Sequence, residues 1–326
     1  MKEDIKRVAE LPYNWEKLNN KTLLMSGGTG FIGSFICNVI SYRNRCFNQN
    51  TKIISLSRRG GVNDDTVSYI KQDVSTPFSV SEHVDYVLHL ASNTHPKQYA
   101  EDPIGTITTN IYGCDNLLRI AKENKAKFLL ASSVEIYGQG TETPMSEDYC
   151  GYIDCNTARA GYNESKRVCE ALTQSYRAQY KTNAVIARLA RIFGADKKAD
   201  TKAIAQFIDK ATAGEDIVLK SNGLQRFSYC YVADAASALL YLLIEGVDGE
   251  AYNITEPDEG LTLGGYAEYI ASLAEKKVIY RIEDSAAVSK STYALMDGSK
   301  IKALGWYPLF SVKEGLKRTF EIKKNC

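Results

Sequence analysis

Three side chains near the middle of the chain have the types and the spacing that oxidation of an alcohol requires. Tyr162 and Lys166 lie four residues apart in an amphipathic stretch, so a helix places both on one face. A lysine ammonium near a phenol stabilises the phenolate, whose pKa of about 10 in model compounds then falls toward neutrality. Ser133 follows an apolar strand pattern and can stabilise a charged substrate oxygen. The set predicts Tyr162 as a general base.

A glycine-rich turn near the N-terminus lies between a predicted strand and a predicted helix. The apolar run that ends at Met25 is followed by Gly27, Gly28, Gly30 and Gly33, and then by apolar residues at helical spacing. The spacing allows a tight turn, close approach of the backbone to a pyrophosphate, and close packing of helix on strand. The phosphates of a dinucleotide would lie at the N-terminus of this helix.

The end of the second predicted strand, 51–57, indicates which dinucleotide binds. Dinucleotide folds normally have an acidic residue there, which accepts from the adenosine ribose hydroxyls. This chain has Ser57, Arg58 and Arg59 instead. Arginine has a planar fork of donors that suits a 2′-phosphate, so the cofactor is predicted to be NAD(P), with NADP slightly preferred. The alternative is that both arginines are solvated turn residues.

Two further strand ends are predicted to contact the cofactor. Asp73, with Val74 beside it, follows the third strand and could accept from the adenine amino group. The fourth strand, 85–90, ends at Leu90, Ala91 and Ser92. These residues are expected to line the cleft, because ligands of open parallel sheets bind at the carboxyl ends of the strands.

The order of the apolar segments predicts the fold. Short apolar runs alternate with helical patterns, which is typical of an α/β fold with a right-handed, doubly wound parallel sheet. The length favours one large domain with a smaller appendage. The helix predicted for 102–124 is expected to bury five isoleucine and leucine side chains: Ile104, Ile107, Ile111, Leu118 and Ile120.

Charge and composition exclude several classes of function. With 40 basic and 39 acidic residues the net charge is +1, which provides no broad electrostatic footprint for nucleic acid or an anionic membrane. The longest apolar runs, such as 235–244, are too short to span a bilayer. The first twenty residues are polar and charged and do not resemble a signal peptide, so a cytoplasmic protein is expected.

The cysteines and histidines do not predict a metal site. Eight cysteines contain no C-x-x-C pair, and no cluster surrounds His83, His89 or His95. The cysteines are therefore interpreted as free thiols in a reducing compartment. His89 lies inside the fourth predicted strand and is interpreted as a hydrogen-bonded histidine of the core.

Together these stretches resemble the extended short-chain dehydrogenase/reductase family, which includes nucleotide-sugar epimerases, dehydratases and decarboxylases. The resemblance covers nearly all of residues 20 to 318. Its motifs are GGTGFIG at 27–33, HLAS at 89–92, SSVEIYG at 132–138, YNESK at 162–166, YCYVADAASALL at 229–240 and DGSKIKALGWYPLFSVKEGL at 297–316.

The resemblance implies a domain organisation and a set of ligands. An N-terminal arm at 1–20 is expected to precede an NAD(P)-binding Rossmann domain at 21–190. The remainder, 191–326, is expected to form mostly a lobe that binds a nucleotide sugar, with some segments returning to the Rossmann domain. We also expect a homodimer.

The resemblance also implies roles for single residues. Ser133, Tyr162 and Lys166 form the catalytic set, in which Lys166 also contacts the nicotinamide ribose. The residues expected to bind NAD(P) are Gly27, Gly30, Phe31, Ile32, Gly33, Ser57, Arg58, Arg59, Asp73, Val74, Leu90, Ala91, Ser92, Tyr162 and Lys166.

Three positions expected to bind substrate are Arg191, Lys202 and Arg226. At Arg191 the family more often has an asparagine that contacts the substrate; an arginine could bind a carboxylate or a phosphate, or turn outward. The family's arginine seven residues before the aspartate of V-x-D would fall on Phe227, so Arg226 is displaced by one residue.

The residues after Ser133 bear on the reaction. Sugar 4,6-dehydratases have an aspartate, the acid that expels the C6 hydroxyl, where this chain has Val134. We therefore expect oxidation at C4 followed by decarboxylation of a UDP-uronate or by C4 epimerisation, with 4,6-dehydration less favoured. The alternatives are an NADPH-dependent nucleotide-sugar 4-ketoreductase, which Arg58 and Arg59 favour, and a cofactor-binding regulator.

Glu135 is the remaining catalytic candidate. If strand geometry persists beyond Ser133, alternation places both side chains on the same side. A carboxylate there could take the C5 proton in a dehydration, or orient the sugar hydroxyls in decarboxylation or epimerisation. We favour the orienting role because Val134 supplies no acid; the alternative is a structural, salt-bridged glutamate at the rim of the cleft.

Overall fold

The computed structural model describes residues 1–93, 101–196, 202–257, 260–282 and 292–325. Its strands are β1 Thr22–Ser26, β2 Lys52–Ser57, β3 Val67–Lys71, β4 Tyr86–His89, β5 Lys127–Ser133, β6 Ala184–Leu189, β7 Arg191–Phe193, β8 Ile217–Leu219, β9 Arg226–Phe227, β10 Tyr229–Tyr231, β11 Ala251–Ile254, β12 Val278–Tyr280 and β13 Tyr293–Ala294. Its α-helices are α1 Lys2–Ala9, α2 Phe31–Cys46, α3 Pro103–Asn124, α4 Ala160–Tyr180, α5 Ala203–Thr212, α6 Val232–Glu245, α7 Leu263–Leu273, α8 Ser299–Leu304 and α9 Val312–Lys324.

Seven parallel strands form one sheet in the order β11-β6-β5-β4-β1-β2-β3. The strands are short apolar runs because helices cover both faces of the sheet; Leu23, Leu24 and Met25 of β1 are all buried. Strands β2 and β3 are added on one side of β1. The chain then crosses over, and β4, β5, β6 and β11 are added on the other side. The crevice at such a reversal of strand order is where ligands of open α/β sheets bind. The predicted α/β Rossmann architecture is confirmed.

Helix α3 differs from its sequence prediction in the face that it buries. Ile104 is 74% exposed, whereas Thr106, Asn110, Gly113 and Cys114 are buried. Helix α3 packs side by side with α4, and small and polar side chains allow the two helices to approach closely. The apolar pattern selected the wrong face at the N-terminal end of the helix because close packing, rather than hydrophobicity, decides which side chains are covered.

The first twenty residues are anchored to the C-terminal part of the chain. The fully buried carboxylate of Asp4 in α1 accepts from Arg318 Nε at 2.6 Å and from the Tyr231 hydroxyl at 3.1 Å. Trp15 and Leu18, in a short 3₁₀ helix, are buried in the main core. None of the described helices is long and apolar enough to cross a membrane.

The C-terminal segments form a second layer of small elements. Helices α5, α7 and α9 pack on one another, and short parallel pairs β7–β10, β8–β12 and β9–β13 lie outside the main sheet. Residues of α5 and β8 face the glycine turn across a cleft. This cleft contains most of the residues on which the chemistry depends.

Candidate active site

A cleft of about 1060 Å³ lies at the carboxyl ends of the sheet strands. The sequence-predicted residues that line it are Gly27, Gly30, Phe31, Ile32, Gly33, Leu90, Ala91, Ser92, Ser133, Glu135, Tyr162, Lys166, Arg191 and Lys202. The fold thus brings together residues that follow β1 and β4 with residues of α2, β5, α4 and β7. A volume of this size accommodates a dinucleotide beside a second ligand.

The glycine turn is as tight as its spacing predicts. Gly27 has a φ of +79°, a conformation that favours glycine. A Cβ at Gly33 would lie 2.3 Å from the carbonyl oxygen of Gly27, so only glycine allows α2 to start this close to β1. Gly30, the N-cap of α2, has no side chain to cap the first turn, which leaves the N–H groups of that turn to a ligand. This cradle fits the pyrophosphate of a nicotinamide dinucleotide.

The residues after β2 and β3 lie outside the lining of the cleft. Ser57 is hydrogen bonded through its hydroxyl to that of Thr29 at 3.1 Å, which ties the end of β2 to the glycine turn. Arg58 and Arg59 are exposed. Hydrogen bonds from Ser75 lower the pKa of the Asp73 carboxyl, and the charge of Arg58 contributes. Binding of the adenosine end of the cofactor by Ser57, Arg58, Arg59 and Asp73 stays a prediction.

Two further predicted contacts also lie outside the cleft lining. The side chain of Val74 is buried in the core behind the sheet, where it packs beside Gly113 of α3. Arg226 lies in β9, and its neighbours Gln225 and Phe227 line the cleft in its place. The one-residue displacement noted in the sequence therefore places an aromatic ring, rather than the guanidinium of Arg226, on the wall of the cleft.

The three proposed catalytic side chains meet in the cleft. Tyr162 and Lys166 lie in the first two turns of α4, and both are buried. Ser133 ends β5 and caps a 3₁₀ turn, Val134–Tyr137, in which its Oγ accepts from the Glu135 N–H at 3.2 Å. Because this bond uses only a lone pair, the Ser133 hydroxyl keeps its proton to donate to a substrate oxygen.

Lys166 is held in position by strand β5. Its Nζ donates to the carbonyl oxygen of Ala131 at 2.9 Å, which ties α4 to strand β5. Burial lowers the pKa of Lys166, because removing an ammonium from water disfavours its charged form. The contact with Ala131 fixes the helix on the strand, and stabilisation of the Tyr162 phenolate by Lys166 stays a prediction.

His89 of β4 is fully buried and lies close enough to Lys166 to be affected by its charge. Its Nδ1 is 2.8 Å from Ser26 Oγ, which also accepts from the backbone N–H groups of Leu90 and Ala91. Ser26 therefore donates its proton to Nδ1, and the neutral ring has its hydrogen on Nε2, for which the described residues offer no partner. Burial, together with the charge of Lys166, lowers the pKa of His89 to about 3. His89 is thus a buried core histidine, as expected. Within the described residues, only its Nδ1 atom is hydrogen bonded.

Glu135 and Arg191 form an ion pair on the wall of the cleft. Arg191 Nη2 is 3.6 Å from Glu135 Oε1, and Asn163 Nδ2 donates to Glu135 Oε2 at 3.4 Å. Strand geometry does not persist beyond Ser133, so the alternation argument for Glu135 was wrong. Glu135 lines the cleft nevertheless, because the 3₁₀ turn rotates its side chain inward.

Sequence reasoning missed a buried residue that connects the two halves of the site. Asn110 of α3 accepts from the Ser92 hydroxyl at 2.7 Å and donates to the Ser165 hydroxyl at 2.9 Å. Ser165 in turn donates to the carbonyl oxygen of Tyr162 at 2.8 Å. This series of hydrogen bonds links the end of β4 to the first turn of α4. The available signal was a polar residue at a helix position surrounded by buried neighbours.

A second network supports the end of β5. Glu170 of α4 accepts from the Ser132 hydroxyl at 2.6 Å and pairs with Arg188 of β6 at 2.8 Å. Arg188 also donates to the Tyr137 hydroxyl at 3.0 Å, and Tyr137 donates to Asn253 at 2.6 Å. The network joins α4, β6 and β11 around the strand that presents Ser133.

No group of three histidine, cysteine or acidic side chains that could hold a metal occurs among the described residues. His95 and Cys326 lie outside those residues. The polar groups of the cleft include a phenol, an ammonium, hydroxyls and an ion pair, next to a glycine cradle. They are suited to moving protons at a hydroxyl-bearing carbon while a bound nicotinamide accepts a hydride.

Solved structures of known enzymes share this architecture. The UDP-glucose 4-epimerase of Thermotoga maritima has a TM-score of 0.78 at 23% identity, over 93% of this chain and 99% of that one. The dTDP-glucose 4,6-dehydratase of Streptomyces venezuelae, solved with NAD bound, has a TM-score of 0.78 at 20% identity over 93% and 97%. At these identities the likeness shows the fold alone.

Similarity in sequence is closer to another group of enzymes. UDP-glucuronic acid decarboxylase 5 of Arabidopsis thaliana is 32% identical over 91% of this chain and 88% of its own length. UDP-glucuronic acid decarboxylase 1 of Danio rerio is 29% identical over 93% and 72%. Residues 23–255 match the family described as "NAD dependent epimerase/dehydratase family". The chain therefore belongs to the NAD-dependent epimerase/dehydratase family.

Proposed function

We propose that the protein oxidises a UDP-uronate, with UDP-glucuronic acid as the leading candidate, at C4 of the sugar and releases its carboxyl group as CO₂. The observation that carries this proposal is Val134, an apolar side chain that lines the cleft between Ser133 and Glu135. Expulsion of a C6 hydroxyl needs an acid there, whereas loss of CO₂ does not. Sequence similarity to UDP-glucuronic acid decarboxylases supports the same reaction.

Each of the cleft residues has its own role in the proposed reaction. Tyr162, as phenolate, takes the proton of the C4 hydroxyl, and Lys166 stabilises the phenolate. Ser133 donates to the C4 oxygen as its charge changes. A nicotinamide dinucleotide held at the cradle of Gly27, Gly30 and Gly33 would supply the acceptor for the C4 hydride and its donor after CO₂ has left. The C4 carbonyl accepts the electron pair of the breaking bond, a proton then adds at C5, and the product is a UDP-pentose.

The experiment is to incubate the purified protein with UDP-glucuronic acid and to record product masses. We expect a decrease equal to one CO₂, and no such product from the Tyr162→Phe variant. Parallel incubations with UDP-glucose and dTDP-glucose test dehydration. Loss of water from either sugar, without CO₂ from the uronate, would refute the proposal.

Arg191 favours a second candidate, epimerisation at C4 of the same kind of substrate. Loss of CO₂ disperses the carboxylate charge into the sugar ring, and a guanidinium that holds that carboxylate opposes the change. Epimerisation leaves the carboxylate in place. An isomer of unchanged mass, identified by the proton couplings at C4, would favour this reaction over decarboxylation.

We infer that the cofactor is NADP(H) in preference to NAD(H). In support, Ser57 ends β2 and Arg58 and Arg59 follow it, at the place where an acidic residue would repel a 2′-phosphate. The Arg58→Asp variant tests this inference by titration of both cofactors. We expect its Kd for NADPH to rise ten- to about a hundredfold, the value of a charge-assisted contact, with little change for NADH. Unchanged preference would identify Arg58 as a solvated turn residue.

We infer a homodimer from the outer faces of α3 and α4. These adjacent helices expose apolar side chains: Ile104 of α3 is 74% exposed, Tyr112 of α3 is 56% exposed and Val168 of α4 is 39% exposed. Apolar side chains exposed on neighbouring helices favour association. Light scattering coupled to size exclusion measures the mass directly, and Val168→Glu is expected to convert a dimer to a monomer.

We also infer a cytoplasmic location. All seven cysteines within the described residues are free thiols, and four of them are buried. Free thiols persist where the cell keeps cysteine reduced. Fractionation of the source cells would test this inference.

A further inference from the structure

Arg191 is held in the cleft by an aromatic ring. Its guanidinium carbon lies 3.7 Å from the centroid of the Phe227 ring. Strand β7, which begins at Arg191, pairs with β10, which begins two residues after Phe227. A planar guanidinium stacked on a ring has its donors confined to one plane. The side chain is therefore preorganised, and it lies on the cleft wall rather than turned outward.

The donors of this guanidinium are only partly used. Nη2 is 3.6 Å from Glu135 Oε1, which is too long for a strong hydrogen bond. Nη1 is buried and has no hydrogen-bond partner among the described residues. A buried donor without an acceptor is costly, so an acceptor supplied by the ligand would be bound favourably. The plane and spacing of the fork suit the two oxygens of a carboxylate.

The position of Arg191 indicates which part of the substrate supplies that acceptor. Its partner Glu135 donates its backbone N–H to Ser133 Oγ, so the ion pair adjoins the hydroxyl that is proposed to hold the C4 oxygen. In a uronate the carboxylate is attached to C5, next to C4. The diphosphate is attached to C1, across the ring. A group beside Ser133 therefore meets the carboxylate end of the sugar.

Two carboxylates near one another also need a cation between them. Glu135 is held by Asn163 on one side and by Arg191 on the other, so its charge is present at the same wall. A substrate carboxylate approaching this wall without Arg191 would be repelled by Glu135. With Arg191 in place, one guanidinium serves both carboxylates.

We propose that Arg191 binds the carboxylate of the sugar acid and thereby selects UDP-uronates over neutral UDP-sugars. The inference rests on the proposed function in taking a UDP-sugar as the substrate, and it adds the residue that determines which class of UDP-sugar binds. It holds for decarboxylation and for epimerisation alike, because both need the uronate to be recognised before its C4 is oxidised.

The test is equilibrium binding of UDP, UDP-glucose and UDP-glucuronic acid in a Tyr162→Phe background, which prevents turnover. We expect the parent to bind the uronate more tightly than UDP-glucose. Arg191→Gln should weaken uronate binding ten- to about a hundredfold and leave UDP and UDP-glucose unchanged. Arg191→Lys should retain part of the preference. Arg45→Gln, which removes an exposed arginine in the last turn of α2, is the matched control and should leave all three affinities unchanged.

Phe227→Leu provides an independent variant, because it keeps the charge and removes the ring that orients it. We expect an intermediate loss, confined to the uronate. An equal loss for UDP and both sugars in Arg191→Gln would assign the cation to the diphosphate and overturn the inference. So would a parent that does not distinguish the uronate from UDP-glucose.

The two proposals fail separately in these measurements. If the unmodified enzyme releases no CO₂ but the Tyr162→Phe protein shows an Arg191-dependent preference for the uronate, the inference stands and decarboxylation fails. If CO₂ is released while Arg191→Gln binds the uronate as tightly as its parent, only the inference fails. Thermal unfolding of each variant confirms that the affinities are those of folded protein.

Discussion

At the scale of single residues, the site depends on buried polar groups that are held by specific partners. Ser133 keeps a donatable proton because its lone pair is engaged by the turn that it caps. Lys166 is confined by the carbonyl oxygen of Ala131. Each group thus has a defined partner, and we expect a single substitution to affect a single step of the proposed reaction.

Replacement of Tyr162 by phenylalanine removes the proposed base and leaves the ring in place. We expect kcat to fall by ~10²- to 10⁴-fold, the usual contribution of general base catalysis, with cofactor affinity kept. Steady-state kinetics together with cofactor titration measure both effects. Tyr180→Phe, at the end of the same helix, is the control, and a Tyr162→Phe variant with parental kcat would assign the base elsewhere.

Replacement of Glu135 by glutamine separates an orienting role from proton abstraction. For orientation we expect a combined change in kcat and KM of about tenfold or less, the value of a neutral hydrogen bond. UDP-uronate recovered from reactions in heavy water should contain no deuterium at C5. A loss of ~10²-fold with affinity kept, or deuterium in the recovered substrate, would identify Glu135 as a base.

At the scale of elements, the end of β5 is fixed by ion pairing between α4 and β6. Glu170 and Arg188 each expose 12% of their side chains, and together with the Ser132 hydroxyl they hold the strand that presents Ser133. Loss of one partner leaves a charge in a poorly hydrated site. The pair is therefore expected to matter both for stability and for the geometry of the catalytic serine.

Glu170→Gln should lower the free energy of unfolding by about 3 kcal/mol, within the range for breaking a buried pair. Urea denaturation measures this change. Glu123→Gln is the matched control, because Glu123 pairs with Arg119 on the surface and is 52% exposed, so its loss should cost less than ~1 kcal/mol. Equal effects of the two variants would show that the Glu170 pair is as solvated as a surface pair.

At the scale of the whole molecule, the buried His89 couples stability to pH. Its pKa is about 3 in the folded protein, against 6.5 for an unperturbed histidine. Between these values the unfolded chain binds a proton that the folded chain does not. The contribution of His89 is thus fully present above pH 6.5 and is lost as the pH falls toward 3.

His89→Gln should flatten this part of the pH profile. Each pH unit below 6.5 is worth about 1.4 kcal/mol, so between pH 7.5 and pH 5 the parent should lose about 2 kcal/mol more than the variant. Urea denaturation of both proteins across this range gives the difference, in which the other titrating groups cancel. Parallel profiles would show that His89 is protonated in the folded state.

The sequence alone was sufficient for the fold and for the glycine turn. Apolar periodicity and glycine spacing are local properties of the chain, and β-α alternation permits few topologies. The proposed pair Tyr162 and Lys166 was found for the same reason, since a four-residue spacing on a helix determines that two side chains share a face. The roles of Arg58, Arg59 and Asp73 stay predictions.

Only the tertiary structure decided which residues distant in sequence face one another. Asn110 contacts Ser165, 55 residues further along the chain, through close packing of α3 on α4. Arg191 meets Glu135, because the turn capped by Ser133 replaces a continuing strand. Such contacts depend on helix packing and on the point at which a strand ends. Neither leaves a periodic trace in the sequence, because side chains from separate elements determine both.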